Sequence, residues 1–296
     1  MVPPFTYPIS RNPKGTIVKK TVLITGASSG IGQAAANTFA EKDWNVIATM
    51  RQPPAGKAGD FSGNILTLPL DVQDKASIDL AVQKGLAHFG RIDALINNAG
   101  FGLSGLFESI PLEKAREQFD VNVFGVMEVT RAILPHFRQN GGGLILNVSS
   151  RGGVVGLPLM SLYCASKFAL EGFSEALSYE LASQKIRVKI IAPAGGANTQ
   201  FGPRLAREQA HNRALPDYDG FTATIAQANA RFAGLREGFS TSAEDVARAI
   251  YMAAIDGTDR LRYTVGHDIP PFLKAKKEMD DQDYVDSIKK SYGLKA

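Results

Sequence analysis

The chain has 296 residues, 44% apolar and 21% charged, with 33 Lys and Arg against 29 Asp and Glu. That profile excludes a disordered or fibrous protein, and the net charge of +4, with basic and acidic residues interleaved, gives no stripe for nucleic acid. One cysteine permits no internal disulfide, four scattered histidines lack zinc spacing, and no apolar run reaches the roughly 18 residues that span a bilayer.

Residues 1–18, with prolines at 3, 4, 8 and 13, read as a flexible N-terminal arm with no continuous apolar segment, so a cytoplasmic protein is expected. From residue 19 onward, β-branched runs alternate with stretches of helical periodicity. Strands are predicted at 21–25, 45–49, 64–70, 93–97, 143–149, 187–192 and 262–266, each almost continuously apolar, as strands covered on both faces must be. Helices are predicted near 30–42, 74–89, 111–138, 159–184 and 242–256. Right-handed crossovers between parallel strands then build an α/β, doubly wound sheet with helices on both faces. Residues 19–296 are read as a single domain. Within it, 197–240 is too long for a simple connection and is read as a substrate lid, and 267–296 as a C-terminal tail.

The first chemical motif is "TGASSGIG", residues 25–32, placed between the first strand and the first helix. Its glycines, Gly26, Gly30 and Gly32, suit a tight turn that presents backbone N–H groups and a helix N-terminus to a pyrophosphate, the last allowing close helix packing. "NNAG", 97–100, follows the fourth strand, where strand ends line a nucleotide crevice; the plainer alternative is an Asn-rich turn whose amides satisfy loop backbone. In "SLYCASKFAL", 161–170, Tyr163 and Lys167 stand four residues apart on one helix face, close enough for an ammonium to act on a phenol. Cys164 between them is read as a small packing residue. The glycosylation-like "NVS" at 147–149 lies in a predicted core strand and is discounted.

Together with "LDV" (70–72), "NVFG" (122–125) and "NVSS" (147–150), these motifs resemble the short-chain dehydrogenase/reductase family over about residues 19–266, and within it hydroxysteroid dehydrogenases and carbonyl reductases. The resemblance implies a seven-stranded parallel Rossmann sheet and hydride transfer between a nicotinamide dinucleotide and an alcohol or carbonyl. It makes Tyr163 the general acid or base, Lys167 the group that lowers the phenol's pKa and holds the nicotinamide ribose, and Ser150 the group that polarises the substrate carbonyl. Asn122 would anchor a water that returns protons to the lysine. Ser149 is the lesser candidate for the serine. The cofactor would lie along Gly26, Ser28, Ser29, Gly30, Ile31, Gly32, Asp71, Val72, Asn98, Ala99 and Gly100, reaching Tyr163 and Lys167.

Two features refine this expectation. After the sixth strand the chain reads "IAPAGGANTQF", with Ala194 where the family places a glycine after the proline. Gly195 and Gly196 are candidates to take over that turn, and Pro193 and Thr199 to contact the nicotinamide amide and pyrophosphate. At the end of the second strand, Thr49 and Met50 offer no carboxylate to a ribose, and Arg51 follows with a fork suited to a 2′-phosphate, which predicts NADP(H).

Phe101, Leu103, Leu157, Met160 and Phe201 are expected around the substrate, a bulky apolar carbonyl or alcohol. Apolar residues on more than one face of the helices near 111–138 and 159–184, among them Phe168, Leu170 and Phe173, predict a homodimer or homotetramer. The alternative functions are a dinucleotide-sensing regulatory or scaffold protein, which would need only the glycine turn, and an epimerase or dehydratase, whose known relatives add a larger sugar-nucleotide domain.

Overall fold

The computed structural model describes residues 19–194, 199–235, 241–267 and 269–294. The expected arm at 1–18, Gly195 and Gly196, and both ends of the expected lid lie outside them.

Eight strands form one sheet: β1 (Thr21–Ile24), β2 (Asn45–Met50), β3 (Phe61–Ser62), β4 (Ile65–Pro69), β5 (Ala94–Asn97), β6 (Gly143–Val148), β7 (Ile186–Pro193) and β8 (Arg262–Val265). Their order across the sheet is β3-β4-β2-β1-β5-β6-β7-β8. Seven strands are parallel, and the chain reverses its direction of travel across the sheet between β1 and β5, the topological switch at which α/β folds bind their ligands.

The sheet thus has one strand more than the predicted seven. The addition, β3, is antiparallel to β4 at the sheet's edge, and both of its residues are exposed. Two solvated residues carry no apolar run to be read from sequence.

Among the described residues ten α-helices flank the sheet: α1 (Gly30–Glu41), α2 (Lys75–Phe89), α3 (Leu112–Phe119), α4 (Gly125–Gln139), α5 (Ser161–Leu181), α6 (Phe201–Gln209), α7 (Asp219–Leu235), α8 (Ala243–Ile255), α9 (Ile269–Glu278) and α10 (Asp281–Ser291). Side chains alternate along each parallel strand between two helical layers. Val22, Ile24, Val46 and Ile96 face α1 and α8 through Phe39, Val246 and Ile250. Leu23, Ile47, Leu95 and Ile145 face α2, α4 and α5 through Ile78, Ile133 and Leu177. Covering both faces removes apolar area from water at roughly 25 cal/mol per Å², and it is why these strands read as unbroken apolar runs.

The predicted helix at 111–138 is interrupted. Between α3 and α4 the chain makes one wide π turn, Asp120–Phe124, with the Gly125 N–H bonded back to the Asp120 carbonyl. The expected lid contains two helices, α6 and α7, and the tail forms α9 and α10. The tail packs Ile269, Phe272, Leu273 and Tyr284 against Val154, Val155 and Leu157, the segment that follows Ser150.

Candidate active site

The carboxyl ends of the parallel strands open into a cavity of about 490 Å³. Of the residues expected to form the site, all but Gly32, Asn122 and Leu103 line it. The three exceptions have separate physical reasons.

Gly32 serves by what it lacks. A Cβ there would fall against the Gly26 carbonyl oxygen and the Asn98 amide, so only glycine lets α1 approach the turn. Gly26 itself has φ +67, a left-handed conformation that favours glycine. The turn is braced by Asn98, whose Nδ2 donates to the carbonyls of Thr25 and Gly26, both at 3.0 Å. Asn97 is spent elsewhere, donating to Thr130 Oγ1 at 3.1 Å and Asn147 Oδ1 at 2.9 Å. The two amides of "NNAG" therefore do satisfy structure, as the plainer alternative held, while Asn98, Ala99 and Gly100 still face the cavity.

Leu103 packs in the core layer containing Val129 and Ile133, with only 2% of its surface exposed. It is absent from the cavity wall: an apolar side chain two positions after Phe101 packs in the core.

Asn122 is fully buried in the π turn. Its Nδ2 donates to the Phe101 carbonyl at 2.9 Å and to Ser166 Oγ at 3.1 Å, and its Oδ1 accepts from the Phe101 N–H at 3.0 Å. The side-chain amide is thus a brace between the loop after β5 and helix α5. A π turn widens the helix by one residue and re-aims such a side chain.

Helix α5 carries Tyr163 and Lys167 on the face that meets the sheet, in register with Ser166, Leu170, Ser174 and Leu177, all buried. The serines are small enough to bring the helix close, and Asn147 of β6 donates to Ser174 Oγ at 2.8 Å, which fixes the helix against the strand. Just beyond β6, Ser150 caps a short turn by accepting from the Gly152 N–H at 3.1 Å, and it shares the cavity wall with Tyr163. Ser149 also reaches the cavity wall, but its hydroxyl is buried with no hydrogen-bond partner.

Burial pushes the Tyr163 phenol up to about 12, opposed by the Ser150 hydrogen bond and the Arg151 charge. Burial also pulls the Lys167 ammonium down to about 8, and the Glu171 carboxylate one turn later opposes it. The lysine Nζ donates to the Val148 carbonyl at 2.8 Å. Glu171 is itself held by Arg262 of β8, whose Nε and Nη2 lie 2.8 and 2.6 Å from one carboxylate oxygen.

Over this group lies the start of α6. The Phe201 ring sits 5.4 Å from the Tyr163 ring, and Leu157, Met160 and Phe101 make that end of the cavity apolar. Thr199, Pro193 and Ala194 line the cavity beside them. At the other end, α1 begins without a side-chain cap or an acid in its first turn, which leaves its first N–H groups for a ligand. Arg51 is exposed there, and no described carboxylate pairs with it.

Sequence reasoning missed Arg151 and Arg204, both cavity residues. Arg151 had one available signal, its position directly after Ser150. Arg204 had another, its spacing of three from Phe201 on what proves to be a helix.

The family model for short chain dehydrogenase matches residues 20–210. The chain belongs to the short-chain dehydrogenase family. An uncharacterized oxidoreductase of Schizosaccharomyces pombe is 36% identical over 83% of this chain and 100% of its own length. Human 17-beta-hydroxysteroid dehydrogenase type 1 is 32% identical over 90% of this chain and 82% of its own. Among solved structures, a short-chain dehydrogenase from Streptomyces avermitilis superposes with a TM-score of 0.75 at 31% identity, covering 94% of this chain and 99% of that one. A 3-ketoacyl-(acyl-carrier-protein) reductase from Brucella melitensis, complexed with NADH, gives 0.69 at 30% identity over 85% and 98%. ElxO with NADP bound gives 0.66 at 27% identity over 83% and 97%. The protein is an oxidoreductase of this family.

Proposed function

We propose that the protein interconverts a hydrophobic carbonyl compound and its secondary alcohol, using NADP(H). The observation that carries this is the meeting of Ser150, Tyr163 and Lys167 at the apolar end of a cavity whose other end is the glycine turn. The bound dinucleotide would supply or accept the hydride. Gly26, Gly30 and the uncapped start of α1 fit its pyrophosphate, because two left-handed glycines turn the backbone along the cavity wall into a helix whose first N–H groups have no side-chain cap.

In the reducing direction Ser150 holds the substrate oxygen and the Tyr163 hydroxyl gives it a proton; in the oxidising direction the phenolate takes the proton back. A phenol raised to about 12 keeps its proton at neutral pH, which suits reduction. Lys167, displaced from Val148, would hold the ribose and bring its positive charge to bear on the phenol. Phe201 excludes water over Tyr163. Asn122 acts as a positioning residue through Phe101 and Ser166.

The nucleotide preference rests on β2. Thr49 is fully buried and donates its hydroxyl to the Ile24 carbonyl at 2.9 Å, so this position offers no carboxylate to the ribose, and Arg51 follows the strand's end. Relatives of known structure hold either NADH or NADP. Arg51→Ala should weaken NADPH about 10- to 150-fold and leave NADH nearly unchanged in a fluorescence titration. Equal loss of both nucleotides, or a wild-type preference for NADH, would remove Arg51 from this role. A panel of hydrophobic ketones followed by nicotinamide absorbance tests the substrate class; faster turnover of small polyols would contradict it.

Self-association as a homodimer or homotetramer is part of the same proposal. It is supported by exposed apolar residues on the long helices and the turn joining them, Leu112, Phe124 and Tyr179.

A further inference from the structure

Helix α6 roofs the apolar end of the cavity. Phe201 at its start lies against Tyr163, and Gly102 lets the helix settle on the loop after β5, because a Cβ there would meet Phe201 and Leu205. Three residues and about 4.5 Å of helix rise beyond Phe201, Arg204 lines the same cavity. Its guanidinium stacks over the Phe101 ring, 3.9 Å from the centroid, with 27% of the side chain exposed.

An arginine is a costly residue in a wall that includes Phe101, Leu157, Met160 and Phe201. The protein answers its charge only in part. The nearest carboxylate, Glu208 one turn later on α6, approaches Nε at 3.6 Å, beyond hydrogen-bond reach, and is shared with Lys114 of α3 at 3.1 Å. Among the described residues no acceptor takes a hydrogen bond from the five guanidinium N–H groups. The fork is nevertheless held in place. Stacking on Phe101 orients its plane, and Asn122 in turn grips the Phe101 backbone. Glu208 and Lys114 tie α6 to α3, and Asn212, just past the helix, donates to the Ser104 carbonyl at 2.8 Å.

A fixed, largely buried guanidinium with unused donors matches an oxyanion, and the apolar wall around it matches an apolar body carrying that anion. The two ends of one ligand would then be recognised separately, the carbonyl at Ser150 and Tyr163 and the anion at Arg204. We propose that Arg204 is a specificity-determining residue that binds a carboxylate on the substrate, so that the preferred substrates are apolar carbonyl compounds carrying an acid group away from the reacting carbon. The proposal rests on the hydrophobic-carbonyl reading above and names the substrate class within it. A neutral ketone of the same shape leaves the arginine's donors without an acceptor, and that difference is the source of the selectivity.

The test is calorimetric titration of the full chain, in the presence of excess NADP+, with two aryl ketones of matched skeleton: 4-benzoylbutyrate, which carries a carboxylate, and valerophenone, which does not. The wild type should bind the acid about 10-fold or more tightly than the neutral ketone. Arg204→Met, which keeps an apolar stem against Phe101 and removes the charge, should erase most of that advantage and change valerophenone by less than about 2-fold. Arg204→Lys should recover part of the advantage, which should shrink with added salt. Equal affinity of the wild type for the two ketones would overturn the proposal and leave the hydrophobic-carbonyl reading standing. An advantage that survives Arg204→Met would overturn it too, and weaker NADP+ binding in that variant would then assign the arginine to a phosphate of the cofactor. Binding of neither ketone would overturn the proposal together with the reading on which it rests.

Discussion

Lys167 carries a positive charge into a place where 6% of its surface meets water, and the protein keeps it there at a cost in stability. Its folded pKa of about 8 lies below the ordinary 10.5. Between those values the unfolded chain binds more protons than the folded one, so this group makes stability rise with pH through that window. Below it, the charged lysine is a fixed penalty, on the order of 3 kcal/mol before relaxation. Lys167→Met should therefore raise the melting temperature at pH 6–7. The gain should vanish as the pH climbs from about 8 toward 10.5. Thermal melts of both proteins across that range check this; a gain independent of pH would mean that the lysine is not desolvated. Single residues were legible in the sequence where chemistry demanded a residue type, as at Tyr163, Lys167, Ser150 and the glycines. Leu103 was not, because an apolar side chain beside a cavity can serve the core equally well.

At the scale of elements, α5 could be read from its sequence because one face repeats buried residues at Tyr163, Ser166, Lys167, Leu170 and Ser174. The π turn at Asp120–Phe124 could not, since one extra residue leaves an apolar pattern continuous through Val121, Val126 and Val129. Only the structure shows that Asn122 grips both backbone groups of Phe101 from that turn. Asn122→Ala leaves the Phe101 N–H without this partner in a buried setting and should cost about 1–3 kcal/mol in urea unfolding. It should also lower turnover, because Phe101 and Ser166 both lose the brace; unchanged stability would refute the role. Helices α6 and α7 were read only as a lid because they bury little: none of α6 and, among the described side chains of α7, Ile225 and Ala228. A segment without a strong apolar stripe leaves its helices, and a residue such as Arg204, unannounced.

The molecule as a whole was legible in its sheet. Each parallel strand was expected within about a residue or two of where it lies, because strands sandwiched between helices have no polar face to confuse the pattern. The tail was not legible. Its helices α9 and α10 complete a third apolar cluster with Val154, Val155 and Ala194, behind the loop that carries Ser150. Lys276 ties it further, donating to the Val154 carbonyl at 3.1 Å. Of the residues expected at a subunit interface, Leu170 is buried and Phe173 packs on the core, while Phe168 is 39% exposed beneath Lys276. Leu112, Phe124 and Tyr179, in the same two stretches of chain, are more exposed than Phe168. Light scattering at micromolar concentration should give a dimer or tetramer mass, lowered by Phe124→Glu; a monomeric wild type would contradict association.

The central claim is that Tyr163 moves the proton that accompanies hydride transfer, and Tyr163→Phe tests it with the least disturbance, since it removes one hydroxyl from a ring that packs against Phe201. With a carbonyl substrate identified for the wild type, the variant should bind NADPH as before and lose about 10²–10⁴-fold in kcat. Retained cofactor binding with turnover near the wild-type rate would contradict the account.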